Sequence, residues 1–181
     1  DEVRKKDIRI GDIVLVQRAG DVIPEVVKVI ESKRIGDERP FVMPRRCPVC
    51  GSTVVREEGQ AAVRCVNAEC PAQIKERIIH FASKAAFDID GLGEKLVDQL
   101  VSKGILSSFA DLFTLNPETV ERLDRMGAKS AQNLIQAIEA GKEIPLHRFL
   151  YALGIRHVGE HVAKVLADRF GRLDKLMTAS P

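Results

Sequence analysis

Four cysteines constrain this chain more than any other feature. Cys47, Cys50, Cys65 and Cys70 are its whole complement among 181 residues, and they fall in a C-x2-C-x14-C-x4-C pattern. Two close pairs joined by a short arm let four thiolates converge on one tetrahedral ion, and zinc is the borderline-soft metal that thiolates hold this way. Pro48 and Gly51, in CPVCG, suit the tight turn of a zinc knuckle. Four sulfurs leave no open coordination position, so the implied zinc is structural rather than catalytic. Two disulfides are the rival reading, disfavoured because the charged start DEVRKKDIR has no apolar signal region. His157 and His161, at i and i+4, offer a rival ligand pair, but the sulfurs already fill the shell. His80 and His147 read as surface or packing residues.

The segments on either side differ in period. Residues 1–44 read as short strands: Ile10-Gly11-Asp12 turns into Ile13-Val14-Leu15-Val16, and Ala19-Gly20-Asp21 turns into Val22-Ile23 and, past Pro24, Val26 to Ile30. Two or three short strands cannot close a core alone, so the expectation is part of a small β-barrel. From Pro71 onward the pattern is helical. Pro71 suits the first position of a helix with an apolar stripe at Ile74, Ile78, Phe81 and Ala82, and Asn116-Pro117 is a second start signal.

An internal repeat runs through this helical part. Gly93, Gly127 and Gly159 each follow an apolar residue and precede, four positions on, a small or β-branched apolar one: Val97, Ala131 and Ala163. Spacings of 34 and 32 residues point to a repeated supersecondary unit. Phe109-Ala110-Asp111-Leu112 is echoed by Phe170-Gly171-Arg172-Leu173, which puts the next glycine near position 188 and predicts an incomplete fourth repeat. A glycine between two short helices lets backbone approach another molecule's backbone, and the following helix presents unpaired N–H groups and the positive end of its dipole. Such an elbow is an anion site, and repeated elbows suit successive phosphates. Helix caps with no ligand are the alternative for any one of them. Lys84, Lys95, Arg125, Lys129, Arg156 and Lys164 lie nearby to neutralise phosphates, while Glu94 and Glu160 sit beside two of the glycines, so the amides must carry much of the contact.

Net charge is only +2, short of the strongly basic footprint that announces nucleic-acid binding by itself. Aromatics are 4%, with no Trp and one Tyr, which argues against stacking on bases and leaves the phosphate backbone as the target. No apolar run approaches the roughly 20 residues of a membrane span. A soluble, cytoplasmic protein with no membrane partner is expected.

In order and spacing, these pieces resemble the NAD-dependent bacterial DNA ligase family over essentially the whole chain. RIGDIVLVQRAGDVIPEVV resembles the closing strands of that family's OB domain; CPVCG with C-x4-CPAQ resembles its tetracysteine zinc finger. HFASKAAFDIDGLGEKLVDQL and ALGIRHVGEHVA resemble its helix-hairpin-helix domain. The implied fold is mostly α with a small β portion: partial OB-fold strands at 1–44, the zinc finger at 45–71 and tandem helix-hairpin-helix repeats at 72–181. The resemblance implies nicked double-stranded DNA as partner, bound without base recognition through backbone and minor groove, in nick sealing during replication and repair. By position it assigns DNA contacts to Arg18, Val22 and Ile23 of the OB strands, to Lys84, where the family commonly has Arg, and to Gly91, Gly93, Arg125, Gly127 and Gly159 of the hairpins. Zinc would rigidify the joint between barrel and helices.

The family forms a lysyl-adenylate at K-x-D-G. Here the Asp90-Gly91 pair has Asp88 where that lysine would stand, so no catalytic residue is expected in this chain, and no sealing activity by it alone. NAD and Mg would be bound outside it, with an adenylation domain upstream and a BRCT domain downstream. Two other classes remain at this point: a stand-alone repair adaptor using the same hairpins, and a zinc-stabilised helical module that binds protein.

Overall fold

The computed structural model describes residues 2–20 and 23–180. Its backbone divides into two compact units, residues 1–66 and 67–181.

The first unit opens with a single helical turn, α1 (Glu2–Lys5), where the sequence suggested strand. Among the described residues six short strands follow in three two-stranded antiparallel sheets: β1 (Arg9–Ile10) with β4 (Arg39–Pro40), β2 (Val14–Ala19) with β3 (Ile23–Val29), and β5 (Val54–Arg56) with β6 (Val63–Cys65). In the β2–β3 ribbon Leu15 opposes Lys28 but Val16 opposes Val26, so Val27 is the extra residue of a bulge. Pro24 sits inside β3, opposite Arg18, rather than dividing it in two; a two-stranded ribbon leaves the outer edge of each strand without ladder bonds, so a missing N–H is tolerated there. Both faces of the ribbon stay open, with Leu15, Val16 and Ile23 all exposed. In place of a core, this unit has an ionic staple. Asp12 has no side-chain exposure and accepts Arg34 Nε and Nη2 at 2.7 and 2.8 Å, while Arg34 Nη1 reaches Asp7 at 2.9 Å. Those guanidinium bonds hold the Asp12 carboxyl down at about 2, against the opposing effect of desolvation.

The second unit is helical: α2 (Pro71–Ala82), α3 (Glu94–Ser102), α4 (Pro117–Glu121), α5 (Ala128–Ala140), α6 (Leu146–Ala152), α7 (Glu160–Phe170) and α8 (Leu173–Met177), with a 3-10 turn at Phe109–Thr114. The start signals are where the sequence placed them. Pro71 is the first residue of α2, and Asn116 Oδ1 accepts the Thr119 N–H at 2.8 Å to cap α4. One continuous core joins α2 to α6 and the 3-10 turn, centred on Ile78, Phe81, Leu100, Leu106, Leu112, Leu134 and Ile138, all nearly or fully buried. The Phe81 ring lies between Phe87 and Phe109, at centroid distances of 3.9 and 4.7 Å. Packing pairs α2 with α3, α4 with α5 and α6 with α7, so each repeat is a helical hairpin.

Candidate nucleic-acid interface and metal centre

The metal centre is built from local turns. Cys47 and Cys50 flank a tight turn in which the Gly51 N–H donates to Cys47 O at 2.9 Å; Cys65 ends β6, and Cys70 is the N-cap of α2. The four sulfurs all lie within 4.8 Å of one another, with Cys50 and Cys65 at 3.5 Å, far beyond the roughly 2.05 Å of a disulfide bond. Sulfurs about 2.3 Å from a tetrahedral zinc stand about 3.8 Å apart, so the cluster fits that ion. Among the described residues no other group of three or more His, Cys, Asp or Glu converges this way, so His157 and His161 are not gathered into a metal site. Zinc held by these four sulfurs would have no position left for substrate.

The three hairpins share one backbone design. Gly93, Gly127 and Gly159 are the N-caps of α3, α5 and α7, and no side chain caps any of the three helices. The first-turn N–H groups that an α-helix leaves over therefore have no capping acceptor here. Four residues on, Val97, Ala131 and Ala163 are fully buried, and each donates its N–H to the cap glycine's carbonyl at 2.9 to 3.0 Å.

The glycines themselves do not make the turn. Their φ values are −83°, −115° and −81°, in extended backbone open to any residue. The sharp turn lies two residues earlier, at Gly91 (φ +83°), Arg125 (φ +63°) and His157 (φ +67°). Nor does packing demand glycine: a Cβ on Gly93, Gly127 or Gly159 would meet nothing within 4 Å. All three are exposed. Neither conformation nor intramolecular space requires a bare Cα at these positions.

Of the remaining sequence-assigned residues, Arg18 and Ile23 lie at the β2–β3 turn, both exposed, and Val22 lies outside the described residues. Lys84 is exposed in the loop after α2, and Arg125 is exposed at the second elbow. The helices start unequally: α3 and α7 begin with Glu94 and Glu160, whereas the first turn of α5 has no acidic residue and contains Lys129, which makes its terminus the most favourable for an anion.

Two positioning residues escaped the sequence reading. Gln99 exchanges hydrogen bonds with the backbone of Asp124, accepting its N–H at 2.9 Å and donating to its carbonyl at 3.3 Å, and so braces the second elbow from α3. Arg148 donates to the carbonyls of Lys84 and Ala86, both at 2.7 Å, pinning the loop that carries Lys84. Both act across more than twenty residues, where no local motif signals them.

Four stretches of the chain match known protein families. Residues 1–38 match the NAD-dependent DNA ligase OB-fold domain, and residues 46–72 the NAD-dependent DNA ligase C4 zinc finger domain. Residues 84–140 match the SAM-like helix-hairpin-helix tandem, and residues 148–181 a helix-hairpin-helix motif. A DNA ligase of Desulfosudis oleivorans is 64% identical over 99% of this chain, one of Desulforapulum autotrophicum 58% over 99%, and one of Halothermothrix orenii 59% over 99%. The chain spans about a quarter of each relative's length, 26 to 27%.

Proposed function

We propose, for a chain that belongs to the NAD-dependent DNA ligase family, that it grips nicked double-stranded DNA without reading its sequence. The observation that carries this reading is the exposed glycine cap repeated at three elbows. A Cα bare of side chain, in unstrained backbone facing open space, has its explanation in what approaches from outside. A phosphodiester can approach such a terminus closely enough to accept two or three first-turn N–H groups, and a side chain there would hold it away. Arg125 and Lys129 add charge at the second elbow, and Lys84 beside the first hairpin does the same.

The exposed Arg18 and Ile23 at the end of the β2–β3 ribbon, with Val22 beside them in sequence, would meet the minor groove near the break. Zinc keeps the knuckle rigid and takes no part in chemistry. Relatives of this chain are ligases, and the role proposed here is to hold the duplex while NAD-dependent, Mg-assisted sealing in replication and repair is performed by residues outside it. The division into strands (1–44), zinc finger (45–71) and helical domain (72–181) belongs to this proposal.

A salt titration of binding to nicked duplex, intact duplex and single strands tests it. Duplex binding with a steep salt slope, strongest at the nick and weakest on single strands, is the expected result. Weak affinity that ignores salt would instead mark a protein-interaction module.

A further inference from the structure

We propose that a recess on the helical unit is a phosphate site in its own right, taking a backbone phosphate of the strand held at the Gly159 elbow. It rests on the reading of the elbows given above. The recess, about 520 Å³, lies between the Lys84–Ala85 segment, α6 and the first turns of α7. From α6 come His147 and Tyr151, four residues apart on one face; from α7 come His161 and Lys164, three apart. Lys84 closes it from the loop. Two ammonium groups, two imidazoles and a phenol hydroxyl make a donor set suited to an oxyanion. Arg148 also lines the recess, but its guanidinium is committed to the Lys84 and Ala86 carbonyls, so it positions the loop. Glu160 is the opposing charge, the one carboxylate among the lining residues.

The hairpin repeat alone gives His147, Tyr151 and His161 no role, yet the fold brings all three to one concave surface with two lysines. Because His161 and Lys164 sit on the first turns of the helix that Gly159 caps, a strand docked on those amides runs past the recess. A second phosphate of that strand is the ligand this geometry serves.

The test measures duplex affinity of the 181-residue chain against salt concentration, with Gly127→Asp as a control outside the recess. Lys164→Gln, at a recess lysine given no part in the elbow contacts, should lower the slope of log K against log salt by about 1. Glu160→Gln should tighten binding, a change of opposite sign that lost packing would not produce. On the unaltered chain, the ring-proton resonances of His147 and His161 should shift when a short duplex is added, which keeps the proposal testable if the lysine variant folds poorly. An unchanged slope without ring shifts, while Gly127→Asp still weakens binding, overturns the recess and spares the elbows. Failure of the unaltered chain to bind duplex overturns both. Ring shifts with inorganic phosphate but none with duplex make the recess a site for a free phosphate and overturn its assignment to nucleic acid.

Discussion

Residues 2–66 and 67–180 hold their shape by different physics. Among the described residues, Cys47 is the one buried apolar side chain before position 67; every other belongs to the helical unit. The first unit leaves Leu15, Val16 and Ile23 exposed and relies on short ladders, the Asp12–Arg34 staple and metal ligation. The second buries a continuous apolar cluster and can leave its elbows bare, because nothing at the cap glycines is needed for packing. In the helical unit, packing and the exposed cap glycines are thus separable.

Metal removal should alter this contrast most. Chelation, or Cys65→Ala, should disorder residues 45–70, with a loss on the order of 10 kcal/mol of metal-linked folding free energy. Amide exchange should show α5 and α7 still protected. Simultaneous loss of protection in those helices would show that the two units share one source of stability. Next comes the core: Leu134→Ala, at a residue 1% exposed, should cost about 2 to 5 kcal/mol in urea unfolding of the helices. Gly127→Asp should weaken duplex binding by roughly 1 to 3 kcal/mol, through added bulk and negative charge against a phosphate. The same change at Gly93 or Gly159 should cost less, because Glu94 and Glu160 already oppose an anion at those termini.

The smallest effect is an acid transition in the first unit. Asp12 titrates lower when folded, at about 2, than the ordinary carboxylate value of 3.8, so folding favours its ionised form. The stabilisation is complete above about 4 and disappears as pH falls toward 2. Asp12→Asn should remove that pH dependence, as read from β2–β3 amide protection between pH 5 and 2.

Much of this organisation was legible in the residues, because the signals are local. The cysteine spacing, Pro71 at the start of α2, the Asn116 cap and the buried Val97, Ala131 and Ala163 each need only a few neighbouring positions to interpret. The elbow itself was legible only in part. The evenly spaced glycines mark each elbow, but its sharp turn is made two residues earlier, by Gly91, Arg125 and His157 in left-handed backbone. For Arg125 and His157 that conformation costs on the order of 1 kcal/mol, and no composition rule announces it. The bridges from Gln99 to Asp124 and from Arg148 to the Lys84 loop depend on tertiary packing, and so does the convergence of His147 and His161.

Whether the cap glycines answer to a ligand or to the fold is read from paired unfolding and duplex-binding curves on one preparation of Gly127→Asp, and a ligand is the expected answer. Aspartate is a better N-cap than glycine and complements the dipole, so unfolding should be unchanged or shifted toward greater stability by about 0.5 kcal/mol, while affinity falls at least roughly fivefold. A variant that is destabilised by more than about 1 kcal/mol, or one that stays folded and binds duplex as tightly as the original chain, would contradict it.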